Sequence, residues 1–78
     1  MARFFFDISE DGDVAFDGDG FEFRSLQAAA REATAAATEI VHDLRLKEAP
    51  TTVAVDVFDS ERRPLLTVEV TMRIVRFS

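Results

Sequence analysis

The chain contains no cysteine, no tryptophan and no tyrosine, a single histidine, and only three glycines and two prolines among its 78 residues. Without cysteine there are no disulfides and no thiolate metal sites, and one histidine cannot form an imidazole cluster for zinc. Apolar runs are short, well below the ~18 residues of a membrane-crossing helix. No basic segment is followed by an apolar stretch at the N-terminus, so neither a membrane span nor a signal peptide is expected. A bacterial-type cytoplasmic protein is the expected setting.

Positive charge is scarce in one particular place. Residues 1–22 hold seven acids (Asp7, Glu10, Asp11, Asp13, Asp17, Asp19 and Glu22) against Arg3, which accounts for the whole net charge of −6. The rest of the chain balances. Affinity for a phosphate backbone comes from clustered Lys and Arg that displace counterions, so direct binding of nucleic acid starts at a disadvantage.

A single domain over residues 1–78 is expected, and one of this size buries only about 60–65% of the surface its unfolded chain exposes. Small domains compensate with disulfides, metals or a second subunit. With the first two removed by composition, a homodimer is the expected form, with an unidentified protein partner as the other route.

Extended segments dominate what is there. Arg3 to Ile8 reads as a strand, because Phe4, Phe6 and Ile8 recur at period two and the run is bulky and aromatic. Ser9 to Asp13 has turn composition, Val14-Ala15-Phe16 resumes an extended pattern, and Asp17-Gly18-Asp19-Gly20 interrupts it. Phe21 and Phe23 then share one side with Glu22 on the other, making the first 23 residues an acidic, Phe-lined β unit.

Ser25 is a good N-cap, and Leu26, Ala29, Ala30, Ala33, Ala37, Ile40, Val41 and Leu44 follow at helical spacing. A helix of about 20 residues is predicted, ending at Lys47-Glu48-Ala49-Pro50, with an alanine stripe that lets its axis sit close to a sheet. Val53, Val55 and Val57 alternate with Ala54, Asp56 and Phe58, and after a polar turn at 59–64 a second arm runs from Leu65 to Arg76. The arms are unequal, about eight and about twelve residues, so the longer one is expected to need another neighbour.

The fold class expected is therefore α+β, in the order β-β-α-β-β, with a mainly antiparallel sheet and one long helix packed on one face. A single helix leaves the other sheet face open. Phe5, Phe58 and Leu65 fall on that face together with polar residues, and Arg73 lies on the last arm. These four residues are the candidate interaction surface.

Catalytic and ligand-binding motifs are weaker. Asp and Gly alternate at 17–20 as in part of a calcium-binding EF-hand loop, but the alignment puts Ala15 and Leu26 where an acid and a bidentate Glu are needed. Ordinary hairpin turns are the simpler reading, and a small-ligand or metal binder using those turns is an alternative. His42 sits near Glu39 and Asp43 with no second His, Cys or nucleophile, and Ser25 and Ser60 are explained by a cap and a turn. No catalytic residue, cofactor site or metal site is assigned, and the chain is read as not an enzyme. Arg62, Arg63, Arg73 and Arg76 read as solvated charge, or as groups that meet the acidic N-terminal unit of a neighbouring subunit.

Arg3-Phe4-Phe5-Phe6-Asp7-Ile8, together with Asp17-Gly18-Asp19-Gly20-Phe21-Glu22-Phe23-Arg24-Ser25-Leu26-Gln27-Ala28-Ala29, resembles a family of small uncharacterised bacterial proteins. Such proteins share an Arg-aromatic-aromatic-Phe-Asp start, an Asp-x-x-Gly-x-Glu segment, a Leu-x-Ala-Ala helix opening and a closing hairpin. This chain departs from them at the final turn, where Glu61-Arg62-Arg63 replaces a common Gly. A fainter likeness is to HicB-like antitoxins, which also pass from strands through a Gly-containing acidic turn into an Ala-rich helix. The first resemblance implies a fold and no activity; the second implies a toxin-neutralising or nucleic-acid-associated regulator as an alternative. The leading expectation is a non-enzymatic interaction or regulatory module acting as a homodimer.

Overall fold

A computed structural model describes residues 1–43 and 50–77. Six elements follow one another: β1 (Ala2–Glu10), β2 (Asp13–Ala15), β3 (Phe21–Phe23), α1 (Leu26–Asp43), β4 (Thr51–Phe58) and β5 (Pro64–Met72). All strand pairs are antiparallel. The sheet runs β2-β1-β4-β5, and β3 pairs with β1 on the edge that β2 also uses. The α+β reading holds, with one addition. Phe21–Phe23 forms a strand of its own, so the order is β-β-β-α-β-β and the sheet has five strands.

The two short strands divide one edge of β1 between them. β3 takes Ala2 to Phe4 and β2 takes Ile8 to Glu10. That division leaves a gap at the middle of β1, where the backbone N–H of Phe6 meets no strand and donates instead to Asp17 Oδ2 at 3.0 Å. A buried N–H without an acceptor is costly, so Asp17 is what lets the chain leave β2 and rejoin the same edge as β3.

Helix α1 starts as the sequence predicts, with Ala28 N–H donating to Ser25 Oγ at 3.1 Å. Its packed stripe is narrower than expected. Ala29, Ala33 and Ala37 are fully buried, whereas Leu26 is exposed because close packing begins one turn later. Leu44 and the stop signal at Lys47-Glu48-Ala49 lie outside the described residues. The core is completed by Phe4, Phe6, Val53, Val55 and Val57. Alanine against valine brings helix and sheet close, so little room is left for a larger side chain.

The final hairpin differs from the expectation of unequal arms. β4 has eight residues and β5 nine, paired from Thr51 with Met72 to Phe58 with Pro64 and with a register shift between Val57 and Phe58. No part of β5 overhangs its neighbour. Residues 73–77 continue the alternating pattern but are not strand, because β4 begins at Thr51 immediately after Pro50, which has no N–H to donate. None of the described helices is long and apolar enough to cross a membrane.

Candidate functional site

The open sheet face is closed down by one residue that the sequence left in solvent. Arg62, in the β4–β5 turn, has a positive φ of 65°, taking the left-handed conformation that a glycine would otherwise supply. From there its side chain folds back over the sheet. Its guanidinium carbon lies 4.9 Å from the Phe5 ring centroid and 5.1 Å from that of Phe58. Nη1 donates to Asp7 Oδ1 at 3.0 Å and Nη2 to the Asp17 carbonyl at 3.0 Å. Asp7 is only 7% exposed and stands directly opposite Asp56 in the β1–β4 register. Without Arg62, the buried Asp7 carboxylate, opposite Asp56 in the register, would lose its paired cation.

The expected contact between basic turn and acidic N-terminal unit is thus made within one chain. Arg63 is occupied as well, bonding Asp59 Oδ2 through Nε at 3.0 Å and pairing with Glu61. Asp59 also accepts from the N–H groups of Glu61 and Arg63, and the Arg63 N–H bond is the largest of the effects that lower its carboxyl below the ordinary aspartate value. Elsewhere the face is polar and internally satisfied: Thr67 Oγ1 donates to Asp56 at 2.7 Å, and the Thr52 and Thr71 hydroxyls bond each other at 3.1 Å. Of the four candidate surface residues, Phe5 and Phe58 come together under Arg62 and are half-buried, while Leu65 is exposed at the turn end of β5. Arg73 lies beyond the other end of β5, eight positions or about 26 Å of strand away from Leu65, so the four do not form one patch.

Replacing Arg62 separates two effects. Arg62→Ala keeps a side chain in left-handed backbone and removes the cation, an expected loss of about 1–2 kcal/mol, discounted because the guanidinium is partly in water. Arg62→Gly removes the same contacts and relieves the backbone, so urea denaturation should rank stability as wild type, then Gly, then Ala.

Asp17-Gly18-Asp19-Gly20 is a bracing turn. Asp17 Oδ1 accepts from Asp19 N–H at 3.1 Å and Gly20 N–H at 2.9 Å while Oδ2 holds Phe6, and its own N–H donates to Asp7 Oδ1 at 3.0 Å. Burial pushes the Asp17 carboxyl up, but the N–H bonds from Gly20, Phe6 and Asp19, with Arg62 nearby, outweigh it and leave it below the ordinary 3.8. A carboxyl lowered by folding contributes stability above its unfolded pKa, and that contribution is lost as pH falls through the folded value. The melting temperature should therefore drop below about pH 4. Asp17→Asn should be about 1–2 kcal/mol less stable at neutral pH, since an amide cannot present acceptors to all three N–H groups, and its acid fall should be shallower.

The exposed apolar surface lies on the helix side instead. Helix α1 packs over β4 and β5 and reaches β3 only marginally, so on that face β1 is covered by the Phe rings of β3 rather than by the helix. Phe4, Phe6, Phe21 and Phe23 form a chain of rings from core to solvent, with Phe6 stacked on Phe23 at 5.7 Å and tilted against Phe21 at 5.7 Å. Beside them a groove of about 560 Å³ opens between the strands and the helix, floored by Phe6, Ile8 and Ala36 and walled by Phe16 and Phe21. Phe16 is 77% exposed and Phe21 54%. Glu32 of α1 stands at the groove's edge, while the Glu22 carboxylate lies on the other sheet face, paired with Arg3 at 3.4 Å. Sequence reasoning missed this site because Phe16 belongs to no long alternating segment; its one signal was an aromatic residue set between acidic turns.

The sequence profile of a family described as "Domain of unknown function (DUF6894)" matches residues 3–71. The chain belongs to that family. The expectation of a family of small uncharacterised proteins fits this match, which runs from β1 into β5. Comparison with curated proteins and with solved structures gave no match.

Proposed function

We propose that this chain is a non-enzymatic protein-interaction or regulatory module that works as a homodimer in the cytoplasm. The observation that carries the reading is the exposed aromatic groove with Phe16 and Phe21 in solvent, a feature of the kind that soluble monomers rarely leave uncovered. The accessible surface supports it. At 5657 Å² the chain exposes roughly 900 Å² more than the ~4,700 Å² expected for a compact monomer of this mass. That excess is close to the ~800 Å² one partner contributes to a standard interface.

The chemistry-bearing side chains argue in the same direction. Ser25 caps a helix, Asp17 and Asp59 brace turns, and Asp7 holds Arg62. His42 is exposed, 3.6 Å from Asp43. Ser25, Asp17, Asp59 and Asp7 each have a structural use that accounts for their position, and His42 sits in solvent. Sedimentation velocity at tens of micromolar should give the mass of a dimer, weakening as salt is raised; a monomer throughout would overturn the reading.

A further inference from the structure

The groove is aromatic with one carboxylate, Glu32, at its edge, and the same chain carries a segment of opposite charge. Residues 73–77, Arg-Ile-Val-Arg-Phe, contain two arginines and no acid. They follow β5 without regular structure, with Val75 60% and Phe77 95% exposed. This is the chemical complement of a Phe-walled groove edged by Glu32, which makes no ion pair among the described residues.

We propose that the occupant of the groove is the 73–77 segment of a second copy, with the two copies exchanging tails. The proposal rests on the homodimer reading and names its contact. Length permits it: five extended residues span about 16 Å, enough to place Val75 and Phe77 along the aromatic wall while Arg73 faces Glu32. Topology favours a second copy over the chain's own groove. In the order β2-β1-β4-β5 the tail leaves from the edge opposite β2 and β3, three strand spacings or about 14 Å away, with α1 lying over β4 and β5 between them. Burial of Val75 and Phe77 against Phe16 and Phe21 supplies the attraction, and charge sets the orientation. The segment falls beyond the residues matched by the family, so the tail contact belongs to this chain and is not asked of every relative.

A charge-exchange experiment on the full chain tests this. Glu32→Lys and Arg73→Glu both alter exposed positions, and circular-dichroism melts should show each variant folded. Each alone should dimerise at least about tenfold more weakly in sedimentation, because both contacts of the symmetric pair then oppose like charges. Mixed in equal amounts they should recover near-wild-type association, since in the mixed dimer one contact is native and the other is reversed on both sides. Phe77→Asp should weaken the dimer by about 100-fold or more, having lost an aromatic anchor twice. If the wild type is a dimer and these variants associate like it, or if the mixture does not recover, the tail contact is wrong and the homodimer reading stands. A monomeric wild type overturns both.

Discussion

Gly20→Ala is expected to destabilise the protein by about 2–4 kcal/mol, the sum of a backbone effect and a steric one. Gly20 has a φ of 75°, and a Cβ there would lie 2.9 Å from the Phe4 carbonyl oxygen and 3.0–3.1 Å from atoms of Arg3 and Phe5. The first of these is backbone of a central strand and cannot swing aside. The neighbouring glycines separate the two effects. Gly12 has a φ of 95° with nothing within 4 Å of a built Cβ, so Gly12→Ala should show the backbone part alone, about 1 kcal/mol. Gly18 has neither constraint, and Gly18→Ala should be close to neutral. A domain of this length has on the order of 4–12 kcal/mol in total, so the Gly20 variant should move its urea midpoint by a large fraction. Equal midpoints for all three variants would contradict the account of the turn.

Ala33→Leu is expected to cost about 1–3 kcal/mol through overpacking. Ala33 is fully buried on the helix stripe that faces Val53, Val55 and Val57, themselves fully buried. The extra carbons have no space unless the helix lifts from the sheet. Ala35→Leu, at an exposed position of the same helix, is the control and should be nearly neutral. A melting temperature unchanged by Ala33→Leu would mean that the stripe is not in close contact.

The parts of the fold that the sequence made legible are those governed by local periodicity. β1 and β4 alternate, α1 places alanine at three-and-four spacing, and Ser25 has its amide acceptor role within three residues. What was not legible depends on contacts between distant residues. β3 is three residues long and exists because Asp17 fills the gap that β2 and β3 leave on β1. Arg62 lies 55 positions from Asp7, and no local pattern distinguishes an arginine that clamps a sheet from one in solvent. The tail from Arg73 to Phe77 alternates as a strand does but is not strand, the ladder with β4 ending at Thr51 and Met72. The groove was hidden for a related reason. It arises where the helix sits, over β4 and β5 rather than over the middle of the sheet, and helical spacing alone does not fix that offset.

Taken together, these features divide the molecule by use. The open sheet face, which composition offered as a docking surface, is covered by Arg62 over Phe5 and Phe58, while the helix side keeps Phe16 and Phe21 in solvent beside Glu32. The segregation of negative charge into residues 1–22 serves one contact, with Arg62 inside the chain, and the proposed second contact sets Glu32 against the basic tail of another copy.

The most direct measurement of that second contact is an isotope-filtered nuclear Overhauser experiment on a mixed sample, in which half the molecules carry carbon-13 and half do not. The account predicts intermolecular cross-peaks from Phe77 and the Val75 methyls to the rings of Phe16 and Phe21. A dimer lacking those cross-peaks, or one in which Phe77 meets Phe16 and Phe21 only within its own chain, would contradict it.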